Sequence, residues 1–387
     1  MRGPVDREYL IPWFVLKSVS GVGNLLYKRL IDAFGSPDAV LSAPRETLAA
    51  LGGMTERVIS GIKSARASAD ILQQLDSALE KGYGIITLAD SDYPYLLREI
   101  ADPPPFLYVY GRLPSDFLPI AIVGTRNPTR YGISMAGRFA SDLAAMGMTV
   151  ISGMARGIDS AAHRGALSVG GKTVAVLGSG LSVIYPPENK RLYEDIAGSG
   201  AVISEFPVGE EPNAYNFPAR NRIISGMSMG VLVVEAAVRS GSLITARLAA
   251  EQGREVFAVP GNINSFKSGG THLLLKQGAR LVERSADIIE ELRQFLPDGF
   301  SSSQGNASFK DDERDTGAVK TCLGRDEQRV LSALDPYPVH IDELCRRLSM
   351  QPSELSAILF DLELKGRVIQ MPGKYFCTNG DKPCPNP

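Results

Sequence analysis

Side chains that bind transition metals are scarce in this sequence. Its 387 residues include three histidines and four cysteines, and no two of the cysteines form a C-x-x-C pair. This scarcity excludes H-E-x-x-H zinc proteases and multi-histidine metal clusters, and it argues against a zinc or disulfide framework. The cysteines all fall near the C-terminus, at Cys322, Cys345, Cys377 and Cys384. We therefore expect reduced, mostly structural thiols and neither a metal nor another cofactor.

Long apolar runs and a strong net charge are also missing. No stretch approaches the roughly 20 apolar residues of a membrane span. Asp6 and Glu8 interrupt the N-terminus, where a signal peptide needs an apolar segment. The 41 basic and 43 acidic residues give a formal net charge of −2, which by itself indicates no nucleic-acid or membrane partner. These features predict a cytosolic protein that does not associate with membranes.

The length of the chain predicts two or three domains at about 150 residues each. Within residues 1–80, apolar residues recur every three or four positions and glycines punctuate them at 21, 23, 52 and 53, which predicts two short helical hairpins. We interpret this segment as a small helical domain of the SAM or helix-hairpin-helix type. A glycine turn between such helices can also offer backbone N–H groups to a phosphate, and that second interpretation stays open.

A different pattern occupies the middle of the chain, where short β-branched runs alternate with helical segments. Seven strands are predicted, at Ile120–Val123, Thr149–Ser152, Thr173–Leu177, Ala201–Ser204, Val231–Val234, Glu255–Val259 and Arg280–Val282. Continuous apolar strands are typical of sheets that helices cover on both faces. We therefore predict the α/β fold class, with an extended Rossmann-like, doubly wound and mostly parallel sheet in a domain at 81–296.

The pattern changes again after residue 296. Residues 297–319 are polar and aperiodic, which predicts a flexible linker, and residues 378–387 form a tail. Between them, at 320–377, three helical segments and two short strands around Pro372 and Gly373 predict a winged helix. Eight basic and eight acidic residues between Lys320 and Tyr375 cancel, so a partner-binding module is the alternative to a DNA-binding one.

Small, cationic and hydroxyl residues follow five successive predicted strands. They lie in the segments 124–132, 152–159, 178–191, 217–222 and 235–245. Because ligands bind open α/β sheets outside the carboxyl ends of the strands, these segments are predicted to share one binding edge. Residues 120–280 contain sixteen basic and eleven acidic side chains, a net of +5 that leaves −7 for the rest of the chain. An extended polyanion uses such an edge more fully than a nucleotide does, and bases can stack on aromatic residues there, the candidates being Tyr131, Tyr185, Tyr215 and Phe217.

The usual nucleotide-binding signatures are absent. The first turn of the sheet is G-T-R-N-P-T-R-Y-G rather than G-x-G-x-x-G, which disfavours a dinucleotide. No G-x-x-x-x-G-K-[ST] occurs, which excludes the P-loop route to ATP hydrolysis. Single-stranded nucleic acid is the ligand that the whole edge favours.

Several long motifs resemble the bacterial DNA-processing protein A family, also called DprA or Smf. They include S-G-M-A-R-G-I-D-S-A-A-H, F-P-A-R-N-R-I-I-S-G and R-S-G-S-L-I-T-A-R-L-A-A-E-Q-G-R-E-V-F-A-V-P-G, in that order. The resemblance covers about residues 83–283 and implies a homodimeric protein without an established catalytic reaction. It implies that the protein binds single-stranded DNA, protects it during natural transformation and helps to load the RecA recombinase onto it.

The resemblance also implies which residues meet the DNA. Arg126 and Lys190 match basic residues that contact the backbone, and Gly124 and Thr125 match a turn that presents N–H groups. The other candidates at the same edge are Arg156, Arg220, Asn221, Arg222, Ser240, Gly241 and Ser242. Asp159 and His163 match a further motif, in which structural roles are equally expected. Ser182 departs from the aspartate that is common at its position in the family.

Two other classes of function compete with DNA binding. The segment 239–246 resembles a loop of lysine-decarboxylase-like phosphoribohydrolases, which cleave nucleotide N-glycosidic bonds with a glutamate on the following helix. Thr245 and Arg247 stand where that acid is expected, Glu251 lies further along, and Glu235 is the only well-placed carboxylate. The third class is a pure interaction protein built on an inert Rossmann core.

Overall fold

The computed structural model describes residues 7–114, 118–297, 300, 324–334 and 338–378. Apart from Pro297, Phe300 and Thr378, the predicted linker of 297–319 and the predicted tail of 378–387 lie outside these residues, as do Cys322 and Cys384. The described residues divide into two compact units. One contains those of Met1–Asn127 and Ala136–Gly305, and the other contains those of Pro128–Met135 and Asn306–Pro387. Among the described helices, none combines the length and apolar character that a membrane crossing requires.

The described part of the amino-terminal segment contains six helices, whereas two helical hairpins were predicted. They are α1 (Arg7–Ser18), α2 (Asn24–Phe34), α3 (Pro37–Ser42), α4 (Arg45–Ala50), α5 (Glu56–Ser64) and α6 (Ala69–Glu80). Ser36, Thr55 and Ser68 each accept a hydrogen bond from the backbone three residues later, which begins α3, α5 and α6. These short capped helices are difficult to separate in the sequence because their apolar periodicities merge.

The apolar core continues from these helices into the sheet. Phe14 of α1 stacks on Phe106 with ring centroids 4.2 Å apart, and Trp13 stacks on Tyr27 of α2. Trp13, Phe14 and Phe106 are all buried, in one cluster with strand residues such as Ile203. The boundary predicted at 80/81 therefore separates two kinds of secondary structure that share one core.

Within the described residues, nine strands form the large sheet, and its mostly parallel architecture is confirmed. They are β1 (Gly84–Thr87), β2 (Phe106–Gly111), β3 (Pro119–Val123), β4 (Thr149–Ser152), β5 (Thr173–Val176), β6 (Ala201–Ser204), β7 (Gly230–Val233), β8 (Glu255–Ala258) and β9 (Arg280–Leu281). Their order is β1-β2-β6-β5-β4-β3-β7-β8-β9. The seven predicted strands are β3 to β9, each within one residue at either end, and they pair in parallel. The two strands that were not predicted, β1 and β2, extend the sheet in antiparallel pairings.

The strand order makes the sheet doubly wound. From β3 the chain moves outward through β4, β5 and β6, and it then returns to the other side of β3 as β7. Because parallel crossovers are right-handed, this reversal places the later helices on the opposite face from the earlier ones. The helices of this region are α7 (Tyr95–Glu99), α8 (Arg130–Ala145), α9 (Ile158–Ser168), α10 (Lys190–Ser199), α11 (Asn216–Gly226), α12 (Gly241–Glu251), α13 (Gly269–Lys276) and α14 (Ser285–Leu292).

The carboxyl-terminal segment has the predicted winged-helix elements. They are α15 (Arg325–Ala333), β10 (Val339–His340), α16 (Ile341–Leu348), α17 (Pro352–Leu364), β11 (Val368–Met371) and β12 (Tyr375–Thr378). The three helices and the β11–β12 hairpin were predicted, whereas the two-residue strand β10 was not. Val330, Leu344, Leu355 and Leu359 are buried in a core of their own, which holds the three helices against the small sheet.

Candidate nucleic-acid interface

The candidate interface lies at the carboxyl edge of the sheet, where β3 and β7 are neighbours and the direction of winding reverses. This crevice is where open α/β sheets bind ligands. Val234 N donates to Val123 O at 3.1 Å and Thr125 N donates to Glu235 O at 2.7 Å, so the ladder continues from the strands into their loops. A Cβ at Gly124 would lie 2.6 Å from Ile158 Cγ1, so this close approach requires glycine.

A cleft of about 170 Å³ opens beside this turn, and the loops that follow β3, β4 and β5 contribute to it together with α11. Its walls include the three arginines and two aromatic residues Arg126, Arg156, Arg220, Tyr185 and Phe217. The structure therefore brings together residues that are separated by almost one hundred positions in the chain. Of the residues expected to meet a ligand, Arg126, Arg156 and Arg220 line this cleft.

Arg126 is exposed at the cleft, and Phe217 beside it is partly buried. The Arg126 guanidinium carbon lies 5.0 Å from the centroid of the Phe217 ring, a cation–π contact. Tyr185 is tilted against the other aromatic ring with centroids 5.8 Å apart. A Cβ at Gly178 would lie 2.8 Å from Phe217 Cδ1, so the glycine turn after β5 makes room for the ring. An exposed cation beside two rings can hold a phosphate and a base at once.

Arg220 forms the floor of the cleft and is buried. Its Nη1 donates to Gly153 O at 2.7 Å and also to Val176 O, which ties the ends of β4 and β5 to α11. Burial lowers the pKa of Arg220 to about 10, an effect that Asp159 opposes. A Cβ at Gly153 would lie 2.0 Å from Nη1, so the glycine admits the guanidinium. The Arg220 side chain thus donates hydrogen bonds to backbone carbonyl groups of its own chain.

Asp159 fastens the loop after β4. It lies in the first turn of α9, is buried, and accepts hydrogen bonds from Gly153 N at 3.2 Å and Ala155 N at 3.4 Å. Burial raises the pKa of this carboxyl group, although Arg220 and the N–H donors oppose the effect. Within the loop Met154 has a φ of 53°, a left-handed conformation that costs energy in a residue with a side chain. Asp159 therefore holds the loop in a strained shape, which is a structural role of the kind expected for its motif.

Arg156 lines the cleft, whereas Lys190 is not among the described residues that line it. Arg156 is exposed and pairs with Glu188, so part of its charge is balanced. Lys190 is exposed at the start of α10. The preceding residue, Asn189, is buried and donates from Nδ2 to Met154 O at 2.8 Å and to Ser160 Oγ at 2.9 Å. The loop that presents Lys190 is thereby anchored to the strained loop after β4.

The other predicted residues have different surroundings. Arg222 is buried and pairs with Glu205 at 2.6 Å and Asp102 at 3.1 Å, outside the lining of the cleft, and Asn221 before it is partly buried. Ser240 caps α12, since its Oγ accepts from Ser242 N at 3.4 Å. With Gly241, Ser240 lines a second pocket of about 850 Å³ between α12 and α13. The structure therefore does not bring these residues into the cleft.

Comparisons with known proteins match most of the chain. Residues 84–293 match the family model for DNA recombination-mediator protein A, and residues 318–374 match the model for the DprA winged helix domain. Protein Smf of Synechocystis is 35% identical over 387 residues, covering 94% of this chain and 97% of that protein. This chain belongs to the DNA recombination-mediator protein A family.

Other members of the family support the assignment. Protein Smf of Escherichia coli is 43% identical over 293 residues, covering 74% of this chain and 75% of that protein. The crystal structure of DprA from Streptococcus pneumoniae superposes with a TM-score of 0.63 at 36% identity, covering 72% of this chain and 97% of that one. A structure from Helicobacter pylori that describes a single-stranded DNA binding mode of DprA has a TM-score of 0.50 at 31% identity, covering 56% and 97%.

The described lining of the cleft bears on the hydrolase alternative. Among the described residues that line the cleft, none is an aspartate or a glutamate, and Glu188 is paired with Arg156. Glu235, two residues after β7, is buried, and Glu251 lies on α12 beside Arg247 at 3.6 Å. The sequence alone does not distinguish Phe217 from the other three aromatic candidates for base stacking. Its stacking under Arg126 depends on the fold, which the sequence pattern alone does not supply.

Proposed function

We propose that this protein binds single-stranded DNA at the cleft that Arg126, Tyr185 and Phe217 line, and that it does so in the cytoplasm. In this role it protects incoming DNA and helps to load RecA onto it. The observation that carries the proposal is the exposed Arg126 guanidinium stacked on Phe217 at the switch point of the sheet. Membership of a recombination-mediator family supports the same role.

Single strands suit this surface better than duplexes because unpaired bases can stack on aromatic side chains. Tyr185 is 42% exposed and Tyr215, just before α11, is 86% exposed, so both rings are accessible beside Phe217. Arg126 and Lys190 are both exposed and supply positive charge. Stacking tolerates any base, so we expect binding with little sequence preference.

Salt dependence of binding to a fluorescent oligo-dT strand tests the proposal. Each phosphate contact releases counterions, so Arg126→Ala and Lys190→Ala should weaken binding and make the slope of log affinity against log salt shallower by about 0.7 each. Arg164→Ala is the matched control, because Arg164 is exposed on α9 outside the cleft lining. Unchanged affinity and slope in both test variants would contradict the assignment of the site.

We also propose that the protein acts as a homodimer. The second pocket supports this, since Val238 and Leu273 on its walls are 60% and 36% exposed and most of the wall is apolar. Light scattering should give the mass of two chains, and Leu273→Glu should give the mass of one. A single-chain mass for the unaltered protein at micromolar concentration would contradict the proposal.

We propose further that no catalytic reaction accompanies DNA binding. The cleft offers arginines and aromatic rings but no carboxylate among its described lining residues. Incubation with nucleoside monophosphates should therefore release no free base. Release of base that Glu235→Gln abolishes would establish the hydrolase alternative instead.

A further inference from the structure

A partly buried polar network connects the amino-terminal helices to α11. Glu205, which directly follows β6, accepts hydrogen bonds from Arg222 Nη2 at 2.6 Å and from Asn24 Nδ2 at 3.3 Å. Arg222 Nε lies 3.1 Å from Asp102 Oδ2, and Lys17 Nζ donates to Asn24 Oδ1. We name Lys17, Asn24, Asp102, Glu205 and Arg222 the docking network.

Burial restricts the central ion pair of the docking network. The side chains of Arg222 and Glu205 are 11% and 10% exposed, whereas that of Asp102 is 44% exposed, and burial lowers the pKa of Lys17 while Glu205 opposes the effect. Two cations, Lys17 and Arg222, accompany two anions, Glu205 and Asp102, so the charges balance. Removing Arg222 or Glu205 leaves the other, nearly buried charge without its ion pair, and this cost favours the observed arrangement over alternatives.

Helix α11 connects this network to the cleft. Phe217 and Arg220, which form one wall and the floor of the cleft, lie on the same helix as Arg222, about one and a half turns and half a turn before it. The helix is packed closely at its other end, where a Cβ at Gly226 would lie 2.9 Å from Ile100 Cγ2. A displacement of Arg222 therefore moves Phe217 relative to the loops after β3 and β5.

We propose that Arg222 is a positioning residue for single-stranded DNA, and that through the docking network the amino-terminal helices hold α11 in its binding orientation. This inference rests on the proposed function. It assigns the second arginine of the R-N-R motif to support of the site, although the motif predicts a DNA contact. Because coupling between sites is reciprocal, bound DNA also stabilises the contacts that join α1 and α2 to Arg222 through Glu205.

Paired variants at the two ends of the network test this. Arg222→Met and Lys17→Met should each weaken oligo-dT binding by about three- to thirtyfold, the span expected for coupling through a packed network. Their salt slopes should equal that of the unaltered protein, because no phosphate contact is lost. Arg7→Met is the matched control, since Arg7 on α1 pairs with Asp76 on α6 at 2.7 Å and does not reach α11. Lys17→Met also provides the test if Arg222→Met does not fold.

Amide hydrogen exchange separates this inference from the proposed function. Without DNA, Lys17→Met should speed exchange in residues 216–226, whereas Arg7→Met should not. With oligo-dT, exchange in residues 7–34 of the unaltered protein should slow, and Arg222→Met should abolish that effect. A shallower salt slope in Arg222→Met would make this residue a direct DNA contact and overturn the inference. Unaltered affinity and exchange in both network variants would also overturn it, while loss of binding in Arg126→Ala alone would leave the proposed function intact.

Discussion

The imidazole of His163 is fully buried in α9, and its protonation state follows from its neighbours. Nδ1 lies 2.7 Å from Thr173 Oγ1, and that hydroxyl donates its own proton to Val150 O at 2.8 Å. Thr173 therefore accepts the hydrogen of Nδ1, and the ring is neutral with its proton on that nitrogen. Burial lowers the pKa of His163 to about 3, and the positive charges of Arg220 and Arg164 add to the effect.

This burial makes the protein sensitive to acid. The pKa of His163 is lower in the folded state than in the unfolded state, so below about pH 6.5 the unfolded chain takes up a proton that the folded chain refuses. As the pH falls, the free energy of unfolding should therefore decrease, and the contribution of this group to the decrease is about 2 kcal/mol at pH 5. Urea denaturation of His163→Gln between pH 7 and pH 5 should show a flatter dependence. Parallel curves for the two proteins would contradict the prediction, since the raised pKa of Asp159 is common to both.

The contacts of individual side chains are the feature that the sequence predicts least completely. Arg220, Asn221 and Arg222 form a basic motif at the correct edge of the sheet, which is sufficient to expect DNA contacts. In the structure the Arg220 guanidinium serves two backbone carbonyls and Arg222 serves two carboxylates. Whether an arginine meets a phosphate or a buried carbonyl depends on tertiary packing, and the local sequence carries no signal for it.

At the scale of elements, strands were predictable where they alternate with helices. β3 to β7 are buried along their whole length and lie in βα units, so composition and spacing both identify them. β8 and β9 are more exposed, and the same βα spacing identifies them. β1 and β2 pair in antiparallel fashion and are separated by the five-residue helix α7, which breaks the alternation. The aromatic run of β2 is also compatible with a packed loop, and its pairing with β1 and β6 is what identifies it as a strand.

Helix α17 bears on whether the winged helix binds DNA. Its sequence from Pro352 to Leu364 contains no lysine or arginine, and Phe360 and Leu364 are 60% and 73% exposed. Glu354 and Asp361 add negative charge on its surface, which repels a phosphate backbone. This composition favours the partner-binding interpretation of the winged helix.

We predict that α17 contributes nothing to duplex DNA binding. Ser353→Glu combined with Ala357→Glu should leave the affinity of the full chain for a duplex oligonucleotide unchanged, as measured by fluorescence anisotropy. Lys374→Glu, in the turn between β11 and β12, is the comparison. Lys374 is exposed, so replacing this cation would lower the affinity if the wing meets DNA. A fivefold or greater loss in the α17 double variant would show that this helix approaches the phosphates.

At the scale of the whole molecule, the positively charged region and the apolar core cover different parts of the chain. The positive excess of residues 120–280 is hidden in a whole-chain charge of −2. The apolar core, in contrast, joins the amino-terminal helices to the sheet, so those helices support the charged edge. The sequence predicted the location of charge because charge is a sum over residues. It did not predict the shared core, which depends on contacts such as Phe14 on Phe106.

Photocrosslinking with an oligonucleotide that carries 5-iododeoxyuridine tests the central claim most directly. The iodinated base couples to aromatic side chains on which it stacks, and mass spectrometry of the full chain locates the adduct. Binding at the proposed cleft predicts adducts at Tyr185, Phe217 or Tyr215, and their loss at high salt. Adducts confined to residues 324–378, with none between Tyr185 and Phe217, would contradict single-stranded DNA binding at this edge of the sheet.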